Sequence, residues 1–277
     1  MKIGLIGCGR VGTTLFSLLK RNNSVIGVYD INKNNQKKTI RLLRIKKNPA
    51  FKDLCRECEA LFFATPDDQI AIAYKKVRPF IKEKKYLFHF SGTLPAAIFP
   101  KAKDVYRCSV HPFATFPKII IPPRRKKYLL FVQGETRAKK AATKIFSSKY
   151  FILKNISKAQ KPYYHLIGVF ASNLIVGLSL ASYRLAKRIG WRKKDYYTAV
   201  LPLIEETIGN IKNYGLENAL SGPLERGDIK IIKEHLKSLK DDEILLNTYK
   251  ILSQAIIENL HGRKLLDKIK IILKLSE

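Results

Sequence analysis

The spacing of apolar positions along the chain changes near residue 155. Before that point, short apolar runs typical of strands alternate with segments of helical periodicity. The predicted strands are Lys2–Ile6, Val25–Asp30, Ala60–Ala64, Tyr86–Phe90, Asp104–Val110, Tyr128–Gln133 and Tyr150–Leu153. The predicted helices between them are Arg10–Arg21, Lys33–Arg44, Asp68–Phe80 and Glu135–Ser148. This alternation predicts an α/β fold, a Rossmann-type doubly wound and mainly parallel sheet with helices on both faces.

After residue 155 the strand signal stops and helical periodicity continues. Pro162 suits the first turn of a helix that runs to about Ile189, where Gly190 ends it. Further helices are predicted at Lys193–Lys212, Ile229–Leu239, Asp242–Asn259 and Arg263–Leu275. We therefore predict an α/β domain over residues 1–155, followed by an all-helical C-terminal domain over residues 156–277.

A glycine motif lies between the first predicted strand and the first predicted helix. Its glycines, Gly7, Gly9 and Gly12, have the spacing G-x-G-x-x-G, and Asp30 follows 18 positions after the last one. In this context the glycines permit a tight turn, close approach to a pyrophosphate and close helix–strand packing, while the acidic residue accepts ribose hydroxyls. The sequence thus predicts that the first domain binds a dinucleotide. The predicted binding residues here are Gly7, Gly9, Arg10, Val11, Gly12 and Asp30.

Asp30 also bears on which dinucleotide binds. A carboxylate at this position repels the 2′-phosphate of NADP, so we expect NAD(P) binding with NAD preferred. Lys33, Lys37 and Lys38 follow shortly afterwards and are able to accommodate the phosphate. NADP therefore stays open as the alternative.

Polar residues follow three further predicted strands. Thr65-Pro66 follow the third strand, Ser91 the fourth, and His111 the fifth. The carboxyl ends of parallel strands share one edge of a sheet, where ligands bind, so Thr65, Pro66 and Ser91 are predicted at the cofactor and His111 as a catalytic residue. Asp67 is interpreted as a helix cap in preference to a site residue.

The helical domain offers a second set of candidates. At 100° per residue, His165, Ser172 and Asn173 share one face of the long helix, which is either a substrate-facing stripe or a set of buried hydrogen bonds. Arg226 precedes Asp228, a predicted N-cap. Its guanidinium either binds a substrate carboxylate in bidentate fashion or is solvated.

Residues 166–183 contain no charged side chain, and 18 such residues reach the length of a membrane span. Asn173 lies near the middle of this stretch, where a polar amide in lipid is costly. We therefore expect no membrane insertion, but a helix that is buried on most sides inside a domain or between two copies of the chain.

The charge balance is strongly basic. Lys and Arg number 53 against 22 Asp and Glu, a net charge of +31, of which residues 1–155 carry +24 and residues 156–277 carry +7. Such a field attracts anions, including phosphates and carboxylates. The sequence contains neither a nucleic-acid-binding motif nor an aromatic stacking platform, so no nucleic-acid partner is predicted.

Cysteine usage and the N-terminus bear on metal binding and location. Cys55 and Cys58 form a lone C-x-x-C without a second pair, which argues against a zinc site, and no metal is predicted. Glycines interrupt the apolar run after Met1, so it does not fit a signal peptide. We expect a cytoplasmic protein.

Six segments, GCGRVGTTL, ATPDDQI, HFSGTL, SVHPFATF, YHLIGVFASNL and GPLERGD, resemble those of a family of oxidoreductases. Its members join a Rossmann-like domain to a helical domain of unknown function, number 2520, and are distantly related to pyrroline-5-carboxylate reductase and ketopantoate reductase. The resemblance covers nearly the whole chain. It implies a nicotinamide cofactor, a cleft between the domains and dimerisation through the helical domain. Several relatives end the second strand with Ser or Arg, which suits NADP, whereas this chain has Tyr29-Asp30.

Motifs and resemblance together predict an NAD(P)-dependent oxidoreductase, a homodimer acting on a small anionic substrate such as a 2-keto acid or cyclic imine. Hydride would pass between the nicotinamide and a C=O or C=N carbon. His165 or His111 is predicted as proton donor, because imidazole titrates near neutral pH. Asn173 would hold the substrate oxygen or nitrogen, and Arg226 its carboxylate. A dinucleotide-sensing protein without catalysis is the alternative.

Overall fold

The computed structural model describes residues 1–119, 121 and 126–259. The chain forms two compact units, Met1–Ile175 and Val176–Glu277. The first unit extends beyond residue 155 and includes the first helix that follows the strands. The predicted helix Arg263–Leu275 lies outside the described residues.

Seven strands and eleven α-helices make up the described chain. The strands are β1 (Lys2–Ile6), β2 (Ser24–Tyr29), β3 (Ala60–Phe63), β4 (Lys85–His89), β5 (Val105–Pro112), β6 (Tyr128–Gly134) and β7 (Phe151–Asn155). The helices are α1 (Arg10–Leu19), α2 (Lys33–Leu43), α3 (Phe51–Glu57), α4 (Asp67–Val77), α5 (Thr136–Ile145), α6 (Lys161–Gly168), α7 (Leu174–Arg188), α8 (Lys193–Tyr214), α9 (Pro223–Arg226), α10 (Ile229–Leu239) and α11 (Glu243–Asn259).

The seven strands form one sheet in the order β2-β1-β3-β4-β5-β6-β7. All neighbouring strands are parallel except β5 and β6. After β1 the chain adds β2 on one side and then crosses to place β3 on the other. The fold class predicted from the sequence is confirmed, and the topological switch point, where ligands bind in such sheets, lies between β1 and β3.

Alternate side chains of the central strands pack on opposite faces of the sheet. Leu5, Phe62 and Phe88 belong to one hydrophobic core, to which α1 and α5 also contribute. Leu61 and Phe63 belong to a second core with residues of α3 and α4. The near-continuous apolar run of β3 is therefore explained by burial on both faces.

Cys55 and Cys58 were interpreted as helical, but the sequence did not predict the bounds of helix α3. It has seven residues, of which Leu54 and Cys55 are buried, and so it is too short to show a helical period. The buried Lys85 closes its C-terminal end, because the ammonium donates to the carbonyl oxygens of Arg56 at 3.0 Å and of Cys58. A charge at a buried strand position is thus accounted for by a helix end, where cations are favoured.

In the second unit, α10 and α11 pack through Ile232 and Ile257. Asp242, with 1% of its side chain exposed, forms ion pairs with Arg184 at 2.8 Å and Arg188 at 2.6 Å. The carboxylate precedes α11 and is therefore tied to α7.

The long apolar helix differs from expectation. It is divided into α6, a π-helical turn at Val169–Asn173, and α7. By length and composition, residues Lys161–Arg188 could cross a membrane: their most apolar 18-residue window has a mean hydropathy of 1.7, and none of that window is buried. The expected burial inside a domain is wrong for the described chain, because no described element covers side chains such as Ile167 (61% exposed) and Phe170 (66% exposed).

Candidate functional site

A cavity of about 350 Å³ opens at the carboxyl ends of β1, β2 and β3. It lies at the switch point of the sheet. Five residues that the sequence predicts for cofactor binding line it, namely Gly7, Gly9, Asp30, Thr65 and Pro66. Sequence reasoning missed several other lining residues, namely Tyr29, Phe51, Gln69, Ile72 and Lys76.

The three motif glycines have different surroundings. A Cβ on Gly7, whose φ is +93°, would lie 2.7 Å from the carbonyl carbon of Ala64, and a Cβ on Gly12 would lie 2.6 Å from the Ala64 Cβ. These two glycines allow the turn and α1 to pack directly on the end of β3. A Cβ on Gly9 would meet no atom closer than 3.7 Å, so the backbone there is open to a ligand.

Asp30 fixes the glycine turn to the end of β2. Its Oδ2 accepts a hydrogen bond from the Cys8 N–H at 2.6 Å, and its Oδ1 accepts one from the Asn32 N–H at 2.7 Å. An ionised carboxylate has about four acceptor positions, so both oxygens retain capacity for ribose hydroxyls.

Thr65 lines the same cavity and has an unpaired hydroxyl group. Its Oγ1 is buried and has no hydrogen-bond partner among the described residues. Gly9 is the N-cap residue of α1 and has no side chain, so within the described residues no side chain caps the first N–H groups of α1, which can bind an anion. An open glycine, an orphaned hydroxyl, a carboxylate and a helix N-terminus together fit a dinucleotide.

The side chains of two predicted cofactor residues, Arg10 and Val11, make contacts away from the cavity. The guanidinium of Arg10 donates to the carbonyl oxygen of Pro117 at 3.0 Å. Val11 packs against the hydrophobic core. Neither side chain lines the cavity, whereas the backbone N–H groups of both residues belong to the first turn of α1.

A second polar cluster lies at the carboxyl ends of β4 and β5. His111 and His165 have ring centroids 6.1 Å apart and meet at Gly92. A Cβ on Gly92 would overlap the His165 ring and lie 3.0 Å from His111 Nε2. The absence of a side chain at residue 92 therefore allows two imidazoles, remote in sequence, to approach each other.

Helix α6 contacts His111 through Tyr164. The Nδ1 atom of His111 is hydrogen-bonded to the hydroxyl of Tyr164. Burial, the nearby Lys161 ammonium and His165 lower the pKa of His111 to about 3. His111 is therefore neutral at physiological pH, which argues against its predicted role as a proton-donating imidazolium.

Lys161 is a buried charge that sequence reasoning missed. The residue is 1% exposed, and its ammonium donates to the Ser91 carbonyl oxygen at 3.1 Å and to Ser109 Oγ at 2.8 Å. Burial lowers its pKa to about 8. Lys161 and Tyr164 are three positions apart and are the two buried residues of α6.

Asp67 connects the ends of β3 and β4. Its Oδ2 accepts hydrogen bonds from Ser91 Oγ at 2.7 Å and Thr93 Oγ1 at 2.9 Å. The cap prediction for Asp67 is wrong, because Pro66 occupies the N-cap position of α4 and Asp67 is the first helical residue. Ser91, predicted at the cofactor, belongs instead to this second cluster.

The remaining catalytic candidates are Asn173 and Arg226. Asn173 ends the π-helical turn and is exposed. A π-helical turn has an i→i+5 hydrogen-bond pattern, so the angle between His165 and Asn173 calculated for a continuous α-helix does not apply. Arg226 lies in α9 of the second unit, where its Nε and Nη2 donate to Asp228 Oδ2 at 3.0 and 2.8 Å. Asp228 is the N-cap residue of α10 without a side-chain cap bond within the described chain.

Cys55 and Cys58 are free and buried. Burial raises the pKa of both thiols to about 12, which disfavours the thiolates that zinc requires. In the described part of the chain, no group of three or more His, Cys, Asp and Glu residues is placed to hold a metal ion.

Comparison with protein families confirms the resemblance seen in the sequence. Residues 128–256 match the family model described as "Domain of unknown function (DUF2520)". This match covers β6, α5, β7 and the helices up to α11. No protein of curated function matches the chain.

Solved structures share the fold over nearly the whole chain. BF3122 of Bacteroides fragilis, described as a candidate NADP oxidoreductase, is 21% identical with a TM-score of 0.72, covering 93% of this chain and 98% of its own. Protein TM1727 of Thermotoga maritima is also 21% identical, with a TM-score of 0.68 and coverages of 97% and 99%. Pyrroline carboxylate reductase of Plasmodium falciparum, solved with NADP bound, is 16% identical, with a TM-score of 0.61 and coverages of 99% and 98%.

Proposed function

We propose that this protein is an NAD(P)-dependent oxidoreductase, which transfers hydride between a nicotinamide and a C=O or C=N carbon of a small anionic substrate. The observation that carries the proposal is the pairing of two sites along one sheet edge. A cavity that fits a dinucleotide lies at the ends of β1, β2 and β3, and an imidazole pair lies at the ends of β4 and β5. The similarity in fold to a pyrroline carboxylate reductase with NADP bound supports it.

The cofactor would supply the hydride, and the chain would bind, orient and protonate. Gly9, Asp30 and Thr65 would hold the dinucleotide. We assign the proton donor to His165, because its ring is partly exposed beside Gly92 and can meet a substrate. Lys161 is too deeply buried for that contact.

Asn173 and Arg226 remain predicted substrate residues. The amide of Asn173 is exposed and available to a substrate oxygen or nitrogen. The side chain of Arg226 is 57% exposed, so its ion pair with Asp228 can be replaced by one with a substrate carboxylate at modest cost in free energy.

We further propose that NAD is preferred over NADP. Asp30 is held rigidly by two backbone N–H groups, so its charge cannot easily turn away from a 2′-phosphate. Structural neighbours include both kinds of enzyme, among them a ketol-acid reductoisomerase described as NADH-preferring and a reductive aminase in complex with NADPH. The preference therefore rests on Asp30 alone.

We also propose that the protein is soluble and cytoplasmic and pairs as a homodimer through its exposed apolar helices. Lys161, at one end of the apolar stretch, is packed against Ser91 and Ser109 and is therefore not available to lie in lipid. Exposed apolar residues also occur on α8, namely Leu201, Leu203, Ile208 and Ile211. Helix α8 carries Glu205 and Glu206 at its middle, which favours a protein partner over a membrane.

The deciding experiment combines binding with turnover. NADH and NADPH affinities are measured by calorimetry, and oxidation of each is followed with a panel of 2-keto acids and cyclic imines. We expect turnover with at least one substrate, its loss in His165→Ala with cofactor affinity retained, and unchanged turnover in the control His235→Ala on α10. Cofactor binding with no turnover across the panel would favour the dinucleotide sensor instead.

A further inference from the structure

Two buried side chains of α6, Lys161 and Tyr164, face the sheet beside His111. They are three positions apart and therefore lie on one side of the helix. We propose that Tyr164 and Lys161 are positioning residues that hold His111 as a neutral imidazole with its proton on Nε2. His111 is then a neutral hydrogen-bond donor, distinct from the proton donor His165.

Tyr164 selects the tautomer. Its hydroxyl is hydrogen-bonded to His111 Nδ1, and its ring is fixed between Phe131 and Phe113, with centroid distances of 4.3 and 5.3 Å. Burial raises the pKa of Tyr164, so the phenol keeps its proton and can donate a hydrogen bond to Nδ1. When Nδ1 accepts a hydrogen bond, the proton of a neutral imidazole is on Nε2.

Lys161 opposes protonation of the ring. Its ammonium is fixed by Ser91 and Ser109, and within the described residues no carboxylate lies at ion-pair distance from it. A second positive charge on His111 would meet this ammonium in a medium of low dielectric constant. Burial contributes most to the lowered pKa of His111, and Lys161 is the next cause.

The other ionisable groups around His111 do not reverse this effect. His165 on α6 lowers the pKa of His111 further, and on β4 the buried His89, whose pKa burial lowers to about 3, is also neutral at physiological pH. Asp67 on α4 raises the pKa of Lys161 and so helps to keep that ammonium charged. From β6, the residue paired with His111 is Phe131, which carries no charge.

The position of Nε2 indicates a role for its N–H group as a hydrogen-bond donor. Nε2 is the ring atom of His111 that lies beside Gly92, and the partly exposed ring of His165 lies alongside in the space that a side chain at residue 92 would take. A neutral imidazole with a lowered pKa can polarise a substrate carbonyl by donating a hydrogen bond. This consequence for turnover rests on the proposed function, whereas the protonation state of His111 does not.

The test is a pH titration of the cofactor-free protein labelled with ¹⁵N-histidine, followed by NMR, with His111 assigned by its loss in His111→Gln. We expect His111 to remain neutral with the proton on Nε2 from pH 5 to 8. Lys161→Met should raise the pKa of His111 by about 1, which is measured by extending the titration of both proteins to about pH 2.5. The control Lys154→Met, which removes an exposed lysine of β7, should leave it unchanged.

Tyr164→Phe gives an independent measurement, because it removes one hydroxyl and keeps the ring packing. We expect the Nδ1–H tautomer to appear in this variant and not in the unmodified protein. Three results would each overturn the proposal. They are a pKa of His111 near 6.5, a proton on Nδ1 in the unmodified protein, and a pKa of His111 that is unchanged in Lys161→Met. None of these outcomes depends on turnover, so failure of the proposed oxidoreductase activity is seen separately in the substrate panel.

Discussion

The carboxylate of Asp30 should decide which dinucleotide binds, and Asp30→Asn isolates its charge. The substitution keeps the size of the side chain. The wild-type carboxylate accepts from the N–H groups of both Cys8 and Asn32, whereas an amide has one oxygen and satisfies only one of them. The variant therefore loses the charge and one hydrogen bond, and little else.

The magnitude follows from charge separation and hydrogen bonding. Two unit charges 4 Å apart interact by about 4 kcal/mol at an effective dielectric constant of 20, and solvent together with Lys33 reduces this value at a cavity mouth. We expect about 1.4 kcal/mol, a roughly tenfold gain in NADPH affinity. NADH should bind about tenfold more weakly, because a charge-assisted bond to ribose is lost. The affinity ratio then shifts about a hundredfold.

Calorimetry with NADH and NADPH at low and high salt measures both effects. The gain in NADPH affinity should shrink at high salt, because screening weakens the repulsion that the wild type experiences. Asp68→Asn is the matched control, since its carboxylate lies outside the cavity and receives a bond from Gln69. If the unmodified protein binds NADPH more tightly than NADH, the neighbouring lysines outweigh Asp30 and the reasoning is wrong.

Three further predictions test packing and assembly. Gly92→Ala should abolish turnover with little loss of stability, because the new methyl group displaces the His165 ring, and thermal melting with a turnover assay separates these effects. Asp242→Ala should lower the free energy of unfolding by about 2–3 kcal/mol, since Arg184 and Arg188 lose a buried carboxylate but are themselves half exposed; a urea titration showing no change would contradict this. Light scattering at micromolar concentration should give a dimer, and a monomer of 31.7 kDa would count against the proposed pairing.

Much of the fold could be predicted because its signals are local. All seven strands are apolar runs bounded by polar or glycine-containing breaks, and the helix Ile229–Leu239 was predicted with both of its ends. The bounds of helix α3 could not be predicted, since Phe51, Leu54 and Cys55 span too few turns to define a period. The π-helical turn was missed for a different reason: hydropathy does not report which carbonyl an N–H group pairs with.

The two halves of the site differ in the same way. The cavity could be predicted, because the glycines and Asp30 lie within one strand–helix–strand unit and their spacing alone fixes their geometry. The surroundings of His111 could not be predicted from the sequence. They depend on α6 returning, about 50 residues later, to the edge formed by β4 and β5, and one sequence does not reveal that contact between Tyr164 and His111.

A continuous set of bonded contacts joins these halves. Thr65 lines the cavity, and Asp67, two residues later, accepts a hydrogen bond from Ser91. The Ser91 carbonyl in turn receives the ammonium of Lys161, which lies beside His111. Each contact spans neighbouring strand ends or the helix packed on them, so the strand register fixes the distance between cavity and imidazoles. The spacing between the cavity and the imidazoles is therefore set within residues 1–175, which would preorganise this part of the proposed site before a substrate binds.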